Sequence, residues 1–535
     1  MKKLSKKGEK RLHTSGCCAK TYAILDPELL NQIPDSIRPR VEAAFLHLQI
    51  QNRFLSEALR MERIRKFGPS SERLTTDQVE LLTLEPVVTA QEVPSEVARP
   101  EPVKGPETQP RKAPVREALP EYLPRQKRII HVAPDQCLCG QCGGEKKVIG
   151  YDRSERLNVR PAEYYVLETL REKRACPKCE ERGVSVAAVP PSIVEKGILG
   201  DGLVIDAILR KFCDHNPFYR QAASIERDAG VPVSQATLGS AVLRAGELLR
   251  CVSAAMRAEL LAGEYIQADE TTVPVRSEKT VGRNHQGYLW EYGRPGGPVV
   301  YNFRMGRERE GPRSFLGKFN GKLQSDGYQG YDEIGGKGLV HFGCFAHARR
   351  KFVDAAKLDP KDEQCAWILE QIRQLYAVES EAREAGLDVV GREALRRQKS
   401  VGLLKGIQEA IESARADALP QSALGKACAY ALGQWTRLAR YAEAGNGIVE
   451  IDNNWAENAM RGVALGRKNW LHVGSEEAGP KMAAIYSVVE TCKRLEINPR
   501  EYLEAVLPGL GAVTTSRVSD LTPMAWKRAR SQPTA

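Results

Sequence analysis

The sequence predicts a multidomain protein of mixed α+β structure, with helix-rich and strand-rich segments in separate stretches of the chain. Three observations lead to this expectation. The chain has 535 residues, too many for one hydrophobic core, so roughly two to four domains are expected. Two Cys-x-x-Cys pairs stand within residues 137–179. A run of strand-like segments begins near residue 263, where a helical pattern ends.

Charge and composition narrow the class of protein. The 79 Lys and Arg residues exceed the 68 Asp and Glu residues, and the formal charge of +11 suits a polyanionic partner. The sequence contains no run of about 18 apolar residues, so no membrane-spanning helix is expected. The Lys-rich start lacks the apolar core of a secretory signal. Thirteen cysteines, an odd number, fit a reducing compartment better than a disulfide framework. The cytoplasm is therefore the expected location.

Residues 1–84 are predicted to hold a tail and one long helix, from about Ile37 to Lys66. Its apolar spacing alternates between four and three residues, as in the seam of a coiled coil. The seam positions are Val41, Phe45, Leu48, Asn52, Leu55 and Leu59. An amphipathic helix packed on its own domain would show the same pattern, and both interpretations stay open. Residues 85–130 are rich in Pro, Glu, Val and Thr without periodicity, which predicts a flexible linker.

Residues 131–190 are predicted to form a zinc-binding ribbon. Two Cys-x-x-Cys knuckles are separated by strand-like sequence, and four thiolates make a closed tetrahedral site for one structural Zn²⁺ ion. The predicted ligands are Cys139, Cys142, Cys176 and Cys179. Cys137 is a spare that could replace Cys139. Basic residues around the knuckles suit either a DNA backbone or a solvated face.

Residues 191–262 are predicted to be helical and to resemble a DNA-binding region. The helices Phe218–Ala229 and Gln235–Glu247, joined by AGVPVS, have the pattern of a helix-turn-helix. Thr237 and Arg244 would lie on its second helix. Helix pairs with such turns are also common in plain bundles, and this alternative is the stronger one.

The strand-rich part of the chain is predicted to be one core interrupted by helices. Five strands are expected, at Tyr265–Ala268, Tyr288–Tyr292, Val299–Phe303, Lys322–Ser325 and Leu339–Phe342. Residues 354–447 are almost wholly helical and would separate the first part of the core, 263–353, from the second part, 448–512. A disordered basic tail is expected at 513–535.

Three acidic residues stand where strands are predicted to end or a helix to begin. Asp269 follows the first strand, Asp326 follows the fourth, and Glu457 lies about one turn into a late helix. The sequence Asp452-Asn453-Asn454 offers good N-cap residues for that helix. Glu457 alone would be an ordinary partner of the helix dipole. Three such carboxylates are what a site holding two Mg²⁺ ions against a phosphodiester needs.

Five short motifs stand in order along the chain. They are ADET (268–271), SDGY (325–328), CFAHARRKF (344–352), IDNNWAENAMR (451–461) and LGRKNWLHVGS (465–475). Together they resemble the DDE transposases of the insertion sequence 66 family. The resemblance runs from about Phe67 to about Leu507 and includes a leucine-zipper-like helix that leads into FGPSSER, at 67–73.

The resemblance implies a ribonuclease-H-like catalytic core with a helical insertion before the last acid. Asp269, Asp326 and Glu457 would be its catalytic and Mg²⁺-binding residues, with Mn²⁺ as a substitute metal. The expected function is a DNA transposase that binds the terminal inverted repeats of a mobile element and catalyses strand cleavage and strand transfer. The alternatives are a non-catalytic zinc-containing DNA-binding regulator and a nuclease that cuts without joining.

The expected partners follow from the same resemblance. Double-stranded DNA would be bound as transposon ends and as target, without any role for a membrane. Two ends must be paired, so a homodimer or larger assembly is expected, and accessory proteins of the same element are further candidates. Such a protein would act at the nucleoid.

Basic and aromatic residues near the acids are expected to meet DNA through phosphate contacts and stacking. They are Arg349, Arg350, Lys351, Arg461, Arg467, Lys468 and Trp470. A solvated loop with Trp470 in the core is the alternative.

Other polar residues are expected to support the acids without binding the metal. Cys344 and His347 would orient DNA or pack the floor of the site, with a buried core pair as the alternative. Asn453 and Asn454 are expected beside them. Two further acids are expected outside the catalytic set: Glu270, which the family motif leaves facing away or supporting Asp269, and Asp332, which is expected at the surface.

Overall fold

The computed structural model describes most of the chain from residue 190 onward and shorter pieces before it. The described residues are 34, 37–67, 164–167, 169, 173–175, 184–186, 190–195, 197–277 and 283–531. The five cysteines at 137–179 and the predicted linker lie outside them. Two short antiparallel strands, β1 (Lys173–Ala175) and β2 (Val184–Val186), fall within the predicted ribbon.

The predicted N-terminal helix is present as α1 (Arg38–Phe67). Much of its apolar seam faces solvent, with Leu55 63% and Leu48 55% exposed. The helix touches the rest of the chain near its C-terminal end, where Glu57 accepts a hydrogen bond from the Ala423 amide at 2.8 Å. The helix is therefore confirmed, and the coiled coil stays a prediction.

Three helices fill the predicted helical region: α2 (Asp201–Phe212), α3 (Phe218–Ala229) and α4 (Gln235–Leu261). Gly230 ends α3 in the left-handed conformation, and Ser234 caps α4 by accepting from the Thr237 amide at 3.0 Å. Helix α4 continues past its predicted end at Glu247. Buried apolar residues recur along its whole length and pack into the main core, so this helix forms one body with the sheet.

A mixed five-stranded sheet has the order β5-β4-β3-β6-β7. Its strands are β3 (Tyr265–Val275), β4 (His285–Gly293), β5 (Val299–Arg304), β6 (Lys322–Gln324) and β7 (Val340–Phe342). The first three pair antiparallel, and β6 and β7 join β3 in parallel. All five predicted strands are confirmed. Past Gln267, β3 continues as a ribbon paired with β4. Asp269 therefore lies inside β3, and its predicted place at the end of that strand is wrong.

Helices cover the sheet and form the segment between the second and third acids. Helix α5 (Glu310–Leu316) precedes β6, and α6 (Phe345–Leu358) follows β7. The helical segment contains α7 (Glu363–Glu384), α8 (Val389–Asp417), α9 (Ala423–Gly433) and α10 (Trp435–Ala439). These helices share a second apolar core with α6 and the start of β3.

The C-terminal part contains α11 (Asn454–Trp470), α12 (Ala478–Arg494), α13 (Pro499–Val506) and α14 (Pro523–Ser531). The predicted disordered tail is wrong for residues 513–531. The Tyr502 hydroxyl donates to the Leu521 carbonyl at 2.5 Å, and Lys527 donates to the Leu495 carbonyl at 2.6 Å. Buried Val518 anchors the same segment, although its basic composition obscured the apolar positions. No described helix is long and apolar enough to cross a membrane.

Candidate active site

The three predicted acids come from distant parts of the chain to one edge of the sheet. Gln267 of β3 and Gln324 of β6 are partners in the parallel register, and Asp269 and Asp326 each follow two residues later. Adjacent strands lie about 4.8 Å apart, so Asp269 on β3 lies beside Asp326, which follows the end of β6. Glu457 is in the first turn of α11, which packs against β3.

The pKa of Asp269 responds to the acidic residues around it. Burial and then the nearby carboxylates of Glu270, Glu457 and Asp326 raise the pKa of Asp269 to about 8. Like charges resist joint ionisation at close range, and a bound cation would relieve that repulsion.

Helix α11 begins in an unexpected way. Asn453 occupies the N-cap position, but its side chain makes no bond to the first turn. The side-chain Oε1 of Gln267 instead accepts a hydrogen bond from the Ala456 amide at 3.1 Å. A strand residue thus supplies the acceptor that an N-cap side chain normally provides. This bond ties the turn that carries Glu457 to the strand that carries Asp269.

Basic and sulfur-containing groups surround Glu457. His347 Nδ1 lies 3.4 Å from Glu457 Oε1, and Arg350 Nη2 lies 3.7 Å from Oε2. Ligand atoms of Cys344, His347 and Glu457 all lie within 4.8 Å of one another, close enough to hold a metal ion. Burial raises the pKa of Cys344 to about 12, so at neutral pH it is a thiol, and its Sγ accepts from the Asn453 amide at 3.5 Å.

The two asparagines before Glu457 have different surroundings. Asn453 is fully buried, and its Nδ2 lies 3.4 Å from the Ala268 carbonyl on β3. Asn454 is exposed and donates to Asp452 Oδ2 at 2.9 Å. The structure therefore brings Asn453, but not the Asn454 side chain, into contact with the strand of the first acid.

The helical segment holds the backbone of the second acid. The Tyr430 hydroxyl on α9 donates to the Asp326 carbonyl at 2.5 Å, and Asp326 Oδ1 accepts from the Tyr328 amide at 2.9 Å. Gly327 has φ 89°, and a Cβ there would approach Gln434 Cδ to 3.2 Å. A side chain at this position would strain the backbone and press on the helix end beside it.

The two acids expected outside the catalytic set have partners of their own, although Glu270 is close enough to influence the pKa of Asp269. Glu270 points to the opposite face of β3, where it accepts from Arg307 Nε and from the Tyr331 hydroxyl, both at 3.0 Å. Asp332 lies 2.8 Å from Arg437 Nη2. Both carboxylates therefore have partners other than the three predicted acids.

The residues predicted to contact DNA fall into two groups. Four basic side chains are exposed: Arg350, Lys351, Arg461 and Lys468. Arg349 is half-buried. Arg467 is also half-buried, and its Nη1 donates to the hydroxyls of Thr271 at 3.1 Å and Thr272 at 3.0 Å. Arg467 therefore joins α11 to β3 and is not a free phosphate ligand.

Trp470 lies in the main core and is 8% exposed. The Nζ of Lys211 lies 5.4 Å from its ring. This placement leaves almost no ring surface for a base, so the predicted stacking of Trp470 on DNA is corrected to the alternative, a core residue. The apolar spacing of α11 favours this outcome because Trp470 continues the row of Ala459, Met460 and Val463.

One buried acid near the site escaped the sequence analysis. Glu291 on β4 is the register partner of Asp269, is fully buried, and has no hydrogen-bond partner for either carboxylate oxygen among the described residues. Burial and then the Asp269 carboxylate raise the pKa of Glu291 well above its ordinary value. The sequence sign that could have revealed this buried acid is a single glutamate within the aromatic strand YLWEYG.

Glu291→Gln is expected to be more stable than the wild-type protein, by a margin that grows as the pH rises. The unfolded chain releases this proton near pH 4.5, whereas the folded protein retains it to higher pH, so Glu291 lowers wild-type stability progressively above pH 4.5. The advantage of glutamine should grow by up to about 1.4 kcal/mol per pH unit until the folded pKa is reached. Thermal midpoints with EDTA at pH 5, 6, 7 and 8 measure it. A difference between the two proteins that is constant across that range would contradict the assignment of a neutral carboxyl group.

Comparison with known proteins identifies a class, the transposases. Residues 196–481 match the family described as "Transposase IS66 family", and residues 136–180 match the "zinc-finger binding domain of transposase IS66". Residues 55–128 match "Transposase C of IS166 homeodomain". The first match covers more than half of the chain, and this protein belongs to the IS66 transposase family. The zinc-finger match contains all four cysteines predicted to bind zinc.

Several proteins of Sinorhizobium fredii are similar over most of their length. The protein y4qI is 31% identical over 475 residues, 85% of each chain, and y4hP is 31% identical over 446 residues, 78% of each chain. The protein y4jD is 32% identical over 426 residues, 76% of this chain and 81% of its own. All three are named as uncharacterized proteins, so they support the family and assign no reaction.

Proposed function

We propose that this protein is a DDE-type DNA transposase that cuts the terminal inverted repeats of a mobile element and joins them to target DNA. The observation that carries this proposal is the convergence of Asp269, Asp326 and Glu457: Gln267 and Gln324 are register partners two residues before the two aspartates, the helix of Glu457 packs on β3, and the carboxylates of Glu457 and Asp326 help to raise the pKa of Asp269. Membership of a transposase family supports the same function.

The catalytic core is proposed to have a ribonuclease-H-like fold. In support, three antiparallel strands are followed by two parallel additions, with Asp269 on the central strand β3 and Asp326 just after its neighbour β6. The helical segment from α7 to α10 stands between the second and third acids, as expected of an insertion. The proposed domain limits remain 263–353 and 448–512 for the two parts of the core.

The proposed metal site fits two Mg²⁺ ions, or Mn²⁺ in their place. Mg²⁺ prefers hard oxygen ligands, and three carboxylates supply them. Glu457 Oε1 is buried without a hydrogen-bond partner among the described residues, and Asp269 is crowded by negative charge. Bound cations would activate the attacking oxygen and stabilise the leaving oxygen of a phosphodiester. The carboxylates would hold the cations, while exposed Arg350 and Lys468 neutralise DNA phosphates.

Other parts of the chain are proposed to bind the DNA and assemble the complex. A single structural Zn²⁺ at Cys139, Cys142, Cys176 and Cys179 would stabilise the ribbon. The exposed seam of α1 would pair with a second copy, because two DNA ends must be held together. Accessory proteins of the same element are proposed as further partners.

The decisive experiment is cleavage of a supercoiled plasmid that carries the element's own ends. With Mg²⁺ we expect nicks or breaks at the ends and joined products, and with EDTA we expect neither. A plasmid without the ends is the control. Binding without cleavage in Mg²⁺ would instead identify a zinc-containing regulator, and cleavage without joined products would identify a nuclease.

A further inference from the structure

A buried polar network lies beneath the three acids. Tyr265, Gln267 and Gln324 are each 2% exposed or less. Gln267 Nε2 lies 2.8 Å from the Tyr265 hydroxyl and 3.0 Å from Gln324 Oε1, and the Tyr265 hydroxyl also donates to Gln324. The network therefore joins β3 to β6 through side chains as well as through the sheet.

The same side chains reach the segment that leads into α11. Gln267 Nε2 donates to the Asp452 carbonyl at 2.9 Å, and Gln267 Oε1 accepts from the Ala456 amide at 3.1 Å. Gln324 Nε2 donates to the carbonyls of Gly343 at 2.9 Å and Glu450 at 2.8 Å. Every bond of the network ends on β3, β6, the β7–α6 junction or the segment from Glu450 to Ala456 that leads into α11.

The residues of the network lie close to the three acids along the chain. Gln267 stands two residues before Asp269, and Gln324 stands two residues before Asp326. Ala456, whose amide Gln267 binds, is the residue immediately before Glu457. A rigid link of one to two residues leaves each carboxylate little freedom to move away from the others.

We propose that Gln267 is a positioning residue that sets the spacing of Asp269, Asp326 and Glu457 and thereby the affinity of the site for divalent cations. This inference rests on the proposed function, because it assigns the three acids to one metal site. Gln267 touches none of the reacting atoms. From its place on β3, the strand of Asp269, Gln267 caps α11, the helix that carries Glu457.

The stability of the fold does not by itself explain why polar side chains occupy this buried position. Burying amide and hydroxyl groups costs free energy that hydrogen bonds only partly return, and apolar side chains of equal size would fill the same space. A fully bonded polar network specifies one arrangement of its segments more strictly than an apolar contact does. Groups that hold metal ligands in place typically change metal affinity by about 10- to 100-fold when they are removed.

The test is the binding of Mn²⁺ to the full-length protein, measured from the electron paramagnetic resonance signal of the free ion. Gln267→Met keeps the size of the side chain and removes its hydrogen bonds. We expect its Kd for Mn²⁺ to rise about tenfold or more, with faster hydrogen exchange at the Ala456 amide. Tyr265→Phe removes one hydroxyl from the network and keeps the ring that packs in the core, and it should raise Kd by about threefold.

The matched control is Gln221→Met on α3. Gln221 is also a buried glutamine, and its Nε2 donates to the Asn216 carbonyl at 2.8 Å, but none of its bonds reaches the acids. A comparable loss of thermal stability with unchanged Mn²⁺ affinity is expected for this variant. Wild-type Mn²⁺ affinity in both Gln267→Met and Tyr265→Phe would overturn the inference. Wild-type protein that binds Mn²⁺ but fails to cut its ends would refute the transposase reaction and leave the positioning role standing.

Discussion

Asp269→Asn, Asp326→Asn and Glu457→Gln are each expected to abolish DNA strand cleavage while leaving the binding of transposon ends largely intact. Each substitution keeps the size of the side chain and removes one anionic group proposed to bind metal. Cations that stabilise charge in the transition state provide a large part of the rate of phosphoryl transfer, so cleavage should fall by about 10³-fold or more. The measurements are plasmid cleavage in Mg²⁺ and gel-shift binding to the ends.

Asp332→Asn is the matched control for these three variants. It removes an acid of the same type, but that acid pairs with Arg437 and not with the proposed metal site. Cleavage by this variant should stay within about threefold of wild type. Full cleavage by the Asp269→Asn protein in Mg²⁺ would remove Asp269 from the catalytic set, whatever the other variants show.

The choice of the three acids was within reach of sequence analysis because the motifs ADET, SDGY and IDNNWAENAMR resemble those of a known family, and local patterns placed two of the three correctly. Asp326 comes two residues after β6, as predicted, and Glu457 follows residues that favour a helix start, whereas Asp269 lies inside β3 and not at its end. The cap of α11 was out of reach for a physical reason. It joins Gln267 to Ala456, which are 189 residues apart, and the only local sign is a glutamine between apolar neighbours. A bond of that kind depends on the tertiary fold.

The basic patch after Glu457 shows a second limit of sequence analysis. A Lys or Arg side chain near an active site suits a phosphate, a neighbouring strand or solvent equally well. Lys468 is exposed, whereas Arg467 beside it turns inward to Thr271 and Thr272. Adjacent residues on a helix point about 100° apart, so their different environments follow from which face of α11 meets β3.

The helical segment from α7 to α10 contains a deeply buried ion pair, and removing one partner of that pair is expected to reduce stability strongly. Arg396 on α8 and Glu379 on α7 are each 1% exposed and pair through two bonds of 2.7 Å. Arg396 Nη1 also donates to the carbonyls of Tyr441 at 3.1 Å and Asn446 at 3.2 Å. One guanidinium thus joins two helices to the segment that returns toward α11.

Arg396→Met is expected to lower the free energy of opening of α7 and α8 by about 3–5 kcal/mol, because it leaves the Glu379 carboxylate buried without its charge partner. Hydrogen exchange of amides in the two helices measures this loss, and the thermal midpoint should fall with it. The Asp326 carbonyl is held by Tyr430 in the same segment, so cleavage should decline at temperatures where the helices open.

Two further variants separate the buried pair from ordinary surface charge. Lys399 and Glu381 pair at 2.7 Å across the same two helices but are 42% and 49% exposed, so Lys399→Met should cost less than about 1 kcal/mol. Replacing both buried partners, Glu379→Leu with Arg396→Met, removes the stranded charge and should recover most of the lost stability. If the double variant were as unstable as Arg396→Met alone, the loss would come from the missing carbonyl bonds of Arg396 and not from an unpaired Glu379.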